Sequence, residues 1–135
     1  MTLCDASALI ALLHRRDRYH DRCVAAAQNA EAPLVTTWPC LVEAMYLLYR
    51  ELGWQGQDAL WSLLADENVV LYRISDDEMS VMRHLMQTYR DLPMDLADAS
   101  LVAAAESLRT QLIFTLDSDF RIYRLSGNRA FDIIP

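Results

Sequence analysis

Residues 91–106 read Asp-Leu-Pro-Met-Asp-Leu-Ala-Asp-Ala-Ser-Leu-Val-Ala-Ala-Ala-Glu, a stretch that predicts a buried helix with acids at its start. Asp95 and Asp98 fall in the first predicted turn, three residues apart. That spacing places both side chains on one face, with Cβ atoms roughly 5–6 Å apart. The apolar residues behind them recur at helical spacing, at Ala97, Leu101, Ala104, Ala105 and Leu108. This pattern indicates that most of the helix is buried.

The two acids at the start of this helix need a compensating charge if they are buried. Neighbouring carboxylates repel each other, and burial penalises the charged form. The helix N-terminus stabilises each carboxylate by about 0.3–1 kcal/mol, whereas a divalent cation would stabilise the pair far more. The competing interpretation is that Asp95 and Asp98 are solvated residues of an ordinary first turn, and the remaining sequence has to distinguish the two.

The composition favours one compact domain that is rich in helices. A chain of 135 residues is long enough for a single domain, residues 1–135, with a hydrophobic core. Hydrophobic residues make up 53% of it, and the three Gly and four Pro argue against disorder. The net charge of −7 gives no overall basic character of the kind that nucleic-acid binders carry. It suits carboxylates gathered at a metal site, a basic protein partner, or solubility alone.

Cysteine usage and hydropathy indicate a cytoplasmic protein. Cys4, Cys23 and Cys40 are odd in number and lack the spacing of a zinc site, so they are interpreted as reduced, mostly buried thiols. Disulfides are rare in the cytoplasm. The N-terminus has no basic segment followed by an apolar run, so no secretory signal is expected. No stretch approaches the roughly 20 apolar residues of a membrane span, and no membrane association is expected.

Short apolar runs alternate with helical patterns along the chain. Strands are predicted at 3–4, 34–36, 69–72, 111–114 and 130–134. Helices are predicted at 6–13, 20–29, 37–52, 57–65, 75–89 and from 95 onward. Ser7 is predicted to cap the first of these helices. The alternation is typical of an α/β fold with a central, mostly parallel sheet flanked by helices.

Acidic residues follow two of the predicted strands. Asp5 comes directly after the first strand, whereas Asp117 and Asp119 follow the fourth, together with the hydroxyl of Thr115. Ligands of open α/β sheets bind outside the carboxyl ends of the strands, so these positions are candidates for a site. Glu43 lies early in the third helix, where a favourable interaction with the helix dipole explains it equally well.

Acids therefore fall at two strand ends and two helix starts that are expected to meet at one edge of the sheet. These places carry Asp5, Glu43, the pair Asp95 and Asp98, and the pair Asp117 and Asp119. Any one of them has an ordinary explanation, but their coincidence favours a shared site. Carboxylates without interleaved Lys or His suit Mg²⁺ or Mn²⁺, and such sites serve phosphoryl chemistry.

Four short motifs, in this order and at this spacing, carry a resemblance to a known family. They are Leu-Cys-Asp-Ala-Ser-Ala-Leu-Ile at 3–10, Thr-Trp-Pro-Cys-Leu-Val-Glu-Ala at 37–44, Pro-Met-Asp-Leu-Ala-Asp-Ala-Ser-Leu-Val-Ala at 93–103, and Phe-Thr-Leu-Asp-Ser-Asp-Phe at 114–120. The chain resembles the PIN-domain ribonucleases, and among them the VapC-like toxins of bacterial type II toxin–antitoxin systems. The resemblance spans nearly the whole chain and implies a single Rossmann-like PIN domain.

The same resemblance implies a metal-dependent endoribonuclease, which hydrolyses RNA phosphodiester bonds with Mg²⁺-activated water. Asp5 and Asp98 would be the principal metal ligands. Glu43 and Asp117 would be the third and fourth catalytic acids. The supporting positions around these four would be Thr115, Asp95 and Asp119.

The resemblance also implies three partners: an RNA substrate, a cognate antitoxin protein and a second copy of the chain in a homodimer. An acidic surface would suit a basic antitoxin segment, and the Met- and Leu-rich helices could supply the dimer interface. Arginines at 15, 16, 18 and 22 form the most basic stretch of the chain. They either contact RNA phosphates or form a solvated face.

Two other functions compete with the nuclease. One is a catalytically silent PIN-fold binding module that acts through a protein partner. The other is a different Mg²⁺-dependent phosphoryl enzyme, such as a small phosphatase. The phosphatase is disfavoured because the chain has only three Gly residues and no Gly-rich loop that could cradle a phosphate.

Overall fold

A computed structural model describes residues 1–135, and its centre is one five-stranded sheet. All neighbouring strands pair in parallel, in the order β3-β2-β1-β4-β5. The strands are β1 (Thr2–Cys4), β2 (Leu34–Thr37), β3 (Val69–Tyr72), β4 (Leu112–Phe114) and β5 (Asp132–Ile134). The predicted α/β fold with a central parallel sheet is confirmed, with the last strand at an edge.

Six helices connect and cover these strands. They are α1 (Ala6–Leu13), α2 (His20–Asn29), α3 (Trp38–Leu52), α4 (Trp54–Ala65), α5 (Glu78–Thr88) and α6 (Leu96–Leu108). Short 3₁₀ turns occur at Ser118–Arg121 and Ser126–Asn128. Two helices start three residues away from the prediction: α5 begins later, at Glu78 instead of 75, and α4 begins earlier, at Trp54 instead of 57, directly after α3 ends. Gly53 allows this junction because its φ of +68° is a conformation that favours glycine.

The strands are apolar on both faces because both faces of the sheet are covered. In β1, Leu3 packs into the core on the side of α5 and α6, whereas Cys4 packs into the core under α1 and α3. Ile113 and Phe114 of β4 divide in the same way. Continuous apolar runs of this kind are what a parallel sheet requires when helices cover both faces.

Helix α6 is the most deeply buried helix of the molecule. Every residue from Ala97 to Ala105 is buried, and five of these nine residues are alanines. Small side chains let the helix lie close to its neighbours, which include β2, α3 and α5. The predicted burial of this stretch is therefore confirmed, and its N-terminal end lies where the strands of the sheet end.

The strand order creates a reversal point between β1 and β4. The chain continues from β1 through β2 to β3 on one side, and β4 and β5 lie on the other side. Ligands of open α/β sheets bind at such a point, outside the carboxyl ends of the strands. Asp5 and Asp117 follow the two strands that flank it. None of the helices combines the length and apolar character that crossing a membrane would require.

Candidate metal centre

Asp5 lies directly after β1 and is held at both carboxylate oxygens. Its Oδ1 accepts hydrogen bonds from the Ala8 N–H at 3.2 Å and from the Ser7 hydroxyl at 2.6 Å. Its Oδ2 accepts one from the Thr115 hydroxyl at 2.5 Å. The prediction that Ser7 caps α1 is wrong, since Asp5 is the capping residue and Ser7 orients it. Asp5 is only 6% exposed, and its Oδ2, which accepts one hydrogen bond, retains capacity for a further ligand.

Asp98 and Asp95 occupy different positions at the start of α6. Asp95 is exposed, has an extended backbone and caps the helix, because its Oδ1 accepts the Asp98 N–H at 2.8 Å. Asp98 lies inside the first turn and is 8% exposed. Its Oδ2 accepts a hydrogen bond from the hydroxyl of Tyr123 at 2.7 Å. Asp95 therefore fixes the backbone of Asp98, whereas Tyr123 fixes its carboxylate.

Asp117 and Asp119 follow β4 in a tight local network. The Asp117 N–H donates to the Thr115 hydroxyl oxygen at 2.9 Å, and Asp117 Oδ1 accepts the Asp119 N–H at 2.9 Å. Thr115 also donates to Asp5, so a chain of hydrogen bonds links the ends of β1 and β4. One carboxylate oxygen each from Asp98, Asp117 and Asp119 lie within 4.8 Å of one another. The structure thus places Asp119, which was predicted as a supporting residue, in the same carboxylate cluster as Asp98 and Asp117.

Glu43 faces the same acidic region from α3. Its side chain is exposed, unlike those of Asp5 and Asp98. Partial desolvation raises the pKa of Glu43, and the charges of Asp95, Asp5 and Asp117 raise it further. Glu43 lies on α3, which begins directly after β2 at the same edge of the sheet, and its carboxylate is not one of the three that converge.

The pKa shifts of the buried acids share one direction. The pKa of Asp98 is raised to about 7, chiefly by burial. The hydrogen bond from Tyr123 lowers this pKa, whereas the charges of Asp95, Asp117 and Asp5 raise it further. Burial also raises the pKa of Asp5, against its hydrogen bonds from Ser7 and Thr115. The two ion pairs of the structure, the N-terminus with Glu31 and Arg50 with Glu51, lie elsewhere. No protein cation therefore neutralises this cluster through a salt bridge.

The donor set fits a hard divalent cation. Carboxylate oxygens are the ligands that Mg²⁺ and Mn²⁺ prefer, and the oxygens of Asp98, Asp117 and Asp119 already converge. Thiolate ligation is disfavoured because Cys40 is buried, its pKa is raised to about 12, and its Sγ donates to the Ala97 carbonyl. All three cysteines are free and buried, and their predicted burial is confirmed.

Tyr123 is the site residue that the sequence did not reveal. No role is predicted for it from the sequence, yet it is fully buried and hydrogen-bonded to Asp98. Edge-to-face contacts hold its ring, with centroid distances of 5.0 Å to Tyr89 and 5.1 Å to Phe120. A tyrosine close to an acidic motif is an ordinary core residue by pattern alone, so no sequence signal distinguishes it.

The fold and this carboxylate cluster agree with a family assignment from the sequence. The profile of the PIN domain family matches residues 2–125, and the chain belongs to that family. Among its relatives is Ribonuclease VapC26 of Mycobacterium tuberculosis (strain ATCC 25618 / H37Rv). It is 27% identical over 134 residues, which cover 98% of this chain and 99% of that protein. The predicted resemblance to VapC-like PIN proteins is confirmed.

Three solved structures have a similar fold. Mycobacterium tuberculosis VapC20, described as a sarcin-ricin loop cleaving toxin, superposes with a TM-score of 0.85 at 18% identity, with all of both chains covered. A chain of a toxin–antitoxin complex from Klebsiella pneumoniae gives 0.68 at 21% identity, covering 89% of this chain and 90% of that one. A chain of VapBC2 from Rickettsia felis, bound to a promoter DNA fragment, gives 0.65 at 14% identity, covering 99% and 98%.

Proposed function

We propose that this protein is a metal-dependent endoribonuclease and the toxin of a type II toxin–antitoxin system. The observation that carries the proposal is the convergence of Asp98, Asp117 and Asp119 oxygens within 4.8 Å, beside Asp5, in a PIN fold. RNA as the substrate class is supported by the full-length similarity to a protein named Ribonuclease VapC26.

Four acids would hold the metal in this proposal. Asp98, Asp117 and Asp119 offer converging oxygens, and Asp5 lies next to them through its hydrogen bond with Thr115. A divalent cation, with Mg²⁺ or Mn²⁺ favoured by the oxygen donors, supplies water activation and charge neutralisation at a phosphodiester. Asp5 and Asp98 remain the ligands expected from the family resemblance, and Asp119 is added by geometry.

The remaining residues orient this set or exchange protons. Ser7 and Thr115 donate to Asp5, and Tyr123 donates to Asp98, so both carboxylates are held without using all their lone pairs. Glu43 is exposed, so its carboxylate is the one best placed to take a proton from solvent or release one near bound RNA. Its raised pKa brings it closer to the neutral range in which such an acid operates.

An RNA cleavage assay with purified protein tests the proposal. Cleavage in Mg²⁺ or Mn²⁺ is expected to stop in EDTA. Asp98→Asn is expected to lower the rate by at least roughly 100-fold, because a direct ligand matters more than an outer partner, whose loss costs about 10–100-fold. Asp58→Asn is the matched control, since Asp58 is an exposed acid on α4. An Asp98→Asn variant that cuts RNA like the wild type overturns the site, and an inert wild type favours the catalytically silent binding module.

An antitoxin partner is supported by the complexes among the structural relatives and by an exposed apolar surface. Trp38, Val42, Tyr46 and Tyr49 recur at helical spacing on α3, and each is more than half exposed. We call this row the α3 aromatic stripe. Contiguous exposed apolar surface commonly marks a protein interface, and the net charge of −7 suits a basic partner segment. A homodimer would use α5, where Met79 is 63% exposed.

Two reciprocal variants test these interfaces. Tyr46→Asp is expected to weaken co-purification with the antitoxin encoded beside the gene and to leave the oligomeric state unchanged. Met79→Asp is expected to convert a dimer to a monomer in light scattering and to leave antitoxin binding unchanged. The opposite pattern would assign the antitoxin interface to α5 and the dimer interface to α3. If neither variant has an effect, neither surface is an interface.

A cytoplasmic location is supported by the free, buried state of the three cysteines.

A further inference from the structure

A small cavity of about 150 Å³ adjoins the carboxylate cluster on the side of α2 and β5. Thr115 and Asp117, which belong to the candidate metal centre, form part of its wall. Arg22 of α2 and Arg121 of the 3₁₀ turn at 118–121 line it as well. The cavity and the candidate metal centre therefore share one wall, and two arginines line the same cavity.

These two arginines have all their donors free. Both side chains are exposed, and neither forms a salt bridge, although Asp117 lines the same cavity. Neither guanidinium donates a hydrogen bond to the protein, in contrast to Arg90, Arg124 and Arg129, which donate to backbone carbonyls. Two like charges on separate elements, facing one small cavity, are stabilised when an anion lies between them.

The chemistry of the cavity selects phosphate as that anion. All 12 basic side chains of the chain are arginines, and a guanidinium presents a planar fork of donors that matches phosphate oxygens. The surrounding acids repel an RNA strand, so a local pair of cations is needed where the strand approaches them. Arg22 also lines a second cavity of about 310 Å³ along α2, with Ala25, Asn29 and Pro135. Together, the two cavities form a path that leads from the candidate metal centre along α2.

We infer that Arg22 and Arg121 form a phosphate clamp, which binds a backbone phosphate of the RNA next to the bond being cut. The inference rests on the proposed ribonuclease function and adds to it the path that the RNA strand takes over the protein surface. From the carboxylate cluster, the RNA passes over Asp117 between the two arginines and continues along α2. The clamp holds substrate and takes no part in metal binding.

RNA affinity in EDTA tests the clamp, because metal-dependent cleavage cannot proceed there. Fluorescence anisotropy with a short single-stranded RNA is expected to show roughly threefold to tenfold weaker binding for Arg22→Gln and for Arg121→Gln, as for loss of one ordinary hydrogen bond. The slope of log affinity against log salt is expected to fall by about 0.7 for each arginine removed. Arg22→Lys is expected to keep the slope and lose part of the affinity, since lysine retains the charge without the fork.

Arg83→Gln is the matched control. Arg83 is an exposed arginine on α5, which packs on the opposite face of the sheet from α2. It is expected to bind RNA as the wild type does. Mn²⁺ affinity measured by calorimetry is expected to be unchanged in all the arginine variants, because the clamp lies outside the carboxylate cluster.

Single neutral methylphosphonates locate the clamped phosphate. In the wild type, one position near the cleavage site is expected to weaken binding when its charge is removed. In the Arg22→Gln, Arg121→Gln double variant, that position is expected to have no further effect, because its partners are already gone. If the arginine variants bind RNA like Arg83→Gln while the wild type still cleaves it, the clamp is overturned and the ribonuclease stands. If the wild type neither binds nor cleaves RNA, both fail.

Discussion

The carboxylate of Asp98 is held by a single side-chain donor, the hydroxyl of Tyr123, at 2.7 Å. The ring of Tyr123 is fully buried between Tyr89 and Phe120, so the hydroxyl has little freedom to move elsewhere. The hydrogen bond favours the charged form of Asp98 and opposes the burial that raises its pKa. It uses Oδ2 only, which leaves the rest of the carboxylate for the cluster. Tyr123 is therefore a positioning residue for Asp98, the proposed metal ligand.

Replacing Tyr123 with Phe removes this donor while keeping the ring and its packing. Mn²⁺ affinity is expected to fall by roughly 10–100-fold, as for other outer partners of metal ligands. The pKa of Asp98 is expected to rise, because the hydrogen bond that favours its charged form is lost. The acid limb of the pH–cleavage profile is then expected to move to higher pH. Tyr46→Phe is the control on an exposed tyrosine, and a Tyr123→Phe protein with unchanged Mn²⁺ affinity and pH profile would contradict the role.

Among the elements, α6 shows what local sequence rules predict and what they miss. Its existence, its burial and the acids at its start follow from the spacing of residues 91–106. The different positions of Asp95 and Asp98 do not follow from it. A spacing of three residues fits two residues of the first turn, and it fits a capping residue followed by a first-turn residue equally well. At α1 the rules choose the wrong cap for a related reason. Asp and Ser are about equally good caps, and Ser7 donates to Asp5 instead of replacing it.

The capping hydrogen bond of Asp95 at the start of α6 can be tested separately from the charge of its side chain. Asp95→Ala removes the acceptor of the Asp98 N–H and is expected to cost about 0.5–2 kcal/mol of unfolding free energy. Asp95→Asn keeps an acceptor and removes the charge, so it is expected to lose much less stability. Urea denaturation of the two variants measures the difference. Equal losses would show that the charge of Asp95, and not its capping hydrogen bond, stabilises the helix.

At the scale of the whole molecule, four acidic segments far apart in sequence meet at one edge of the sheet. This meeting was predictable, because parallel strands end at the same edge and the alternating pattern indicates a parallel sheet. The partners Tyr123, Arg22 and Arg121 were not, since their places depend on how α2 and the segment after β4 fold over that edge. Arg22 was already included in a basic stretch, but only the fold brings it together with Arg121.

The gathered acids make the stability of the metal-free protein depend on pH. The folded pKa of Asp98 is raised to about 7, and that of Asp5 is raised as well, both chiefly by burial. Such groups bind protons more tightly when folded, so their favourable contribution is complete below the unfolded pKa, near 4. It is lost as pH rises through the folded pKa. In EDTA, the melting temperature is therefore expected to be lower at about pH 8 than at about pH 5.5.

A bound divalent cation is expected to reverse this dependence. At 100 times its Kd, a ligand stabilises the fold by about 2.7 kcal/mol, roughly 10 °C for a chain of this size. The shift from added Mn²⁺ is expected to be larger at about pH 8 than at about pH 5.5, where Asp98 must lose a proton to bind. In EDTA at the higher pH, Asp98→Asn is expected to melt above the wild type, whereas Asp58→Asn follows the wild type. An Asp98→Asn protein that melts below the wild type there would show that the buried charge of Asp98 is already compensated within the protein. The candidate metal centre would then lose its main electrostatic argument.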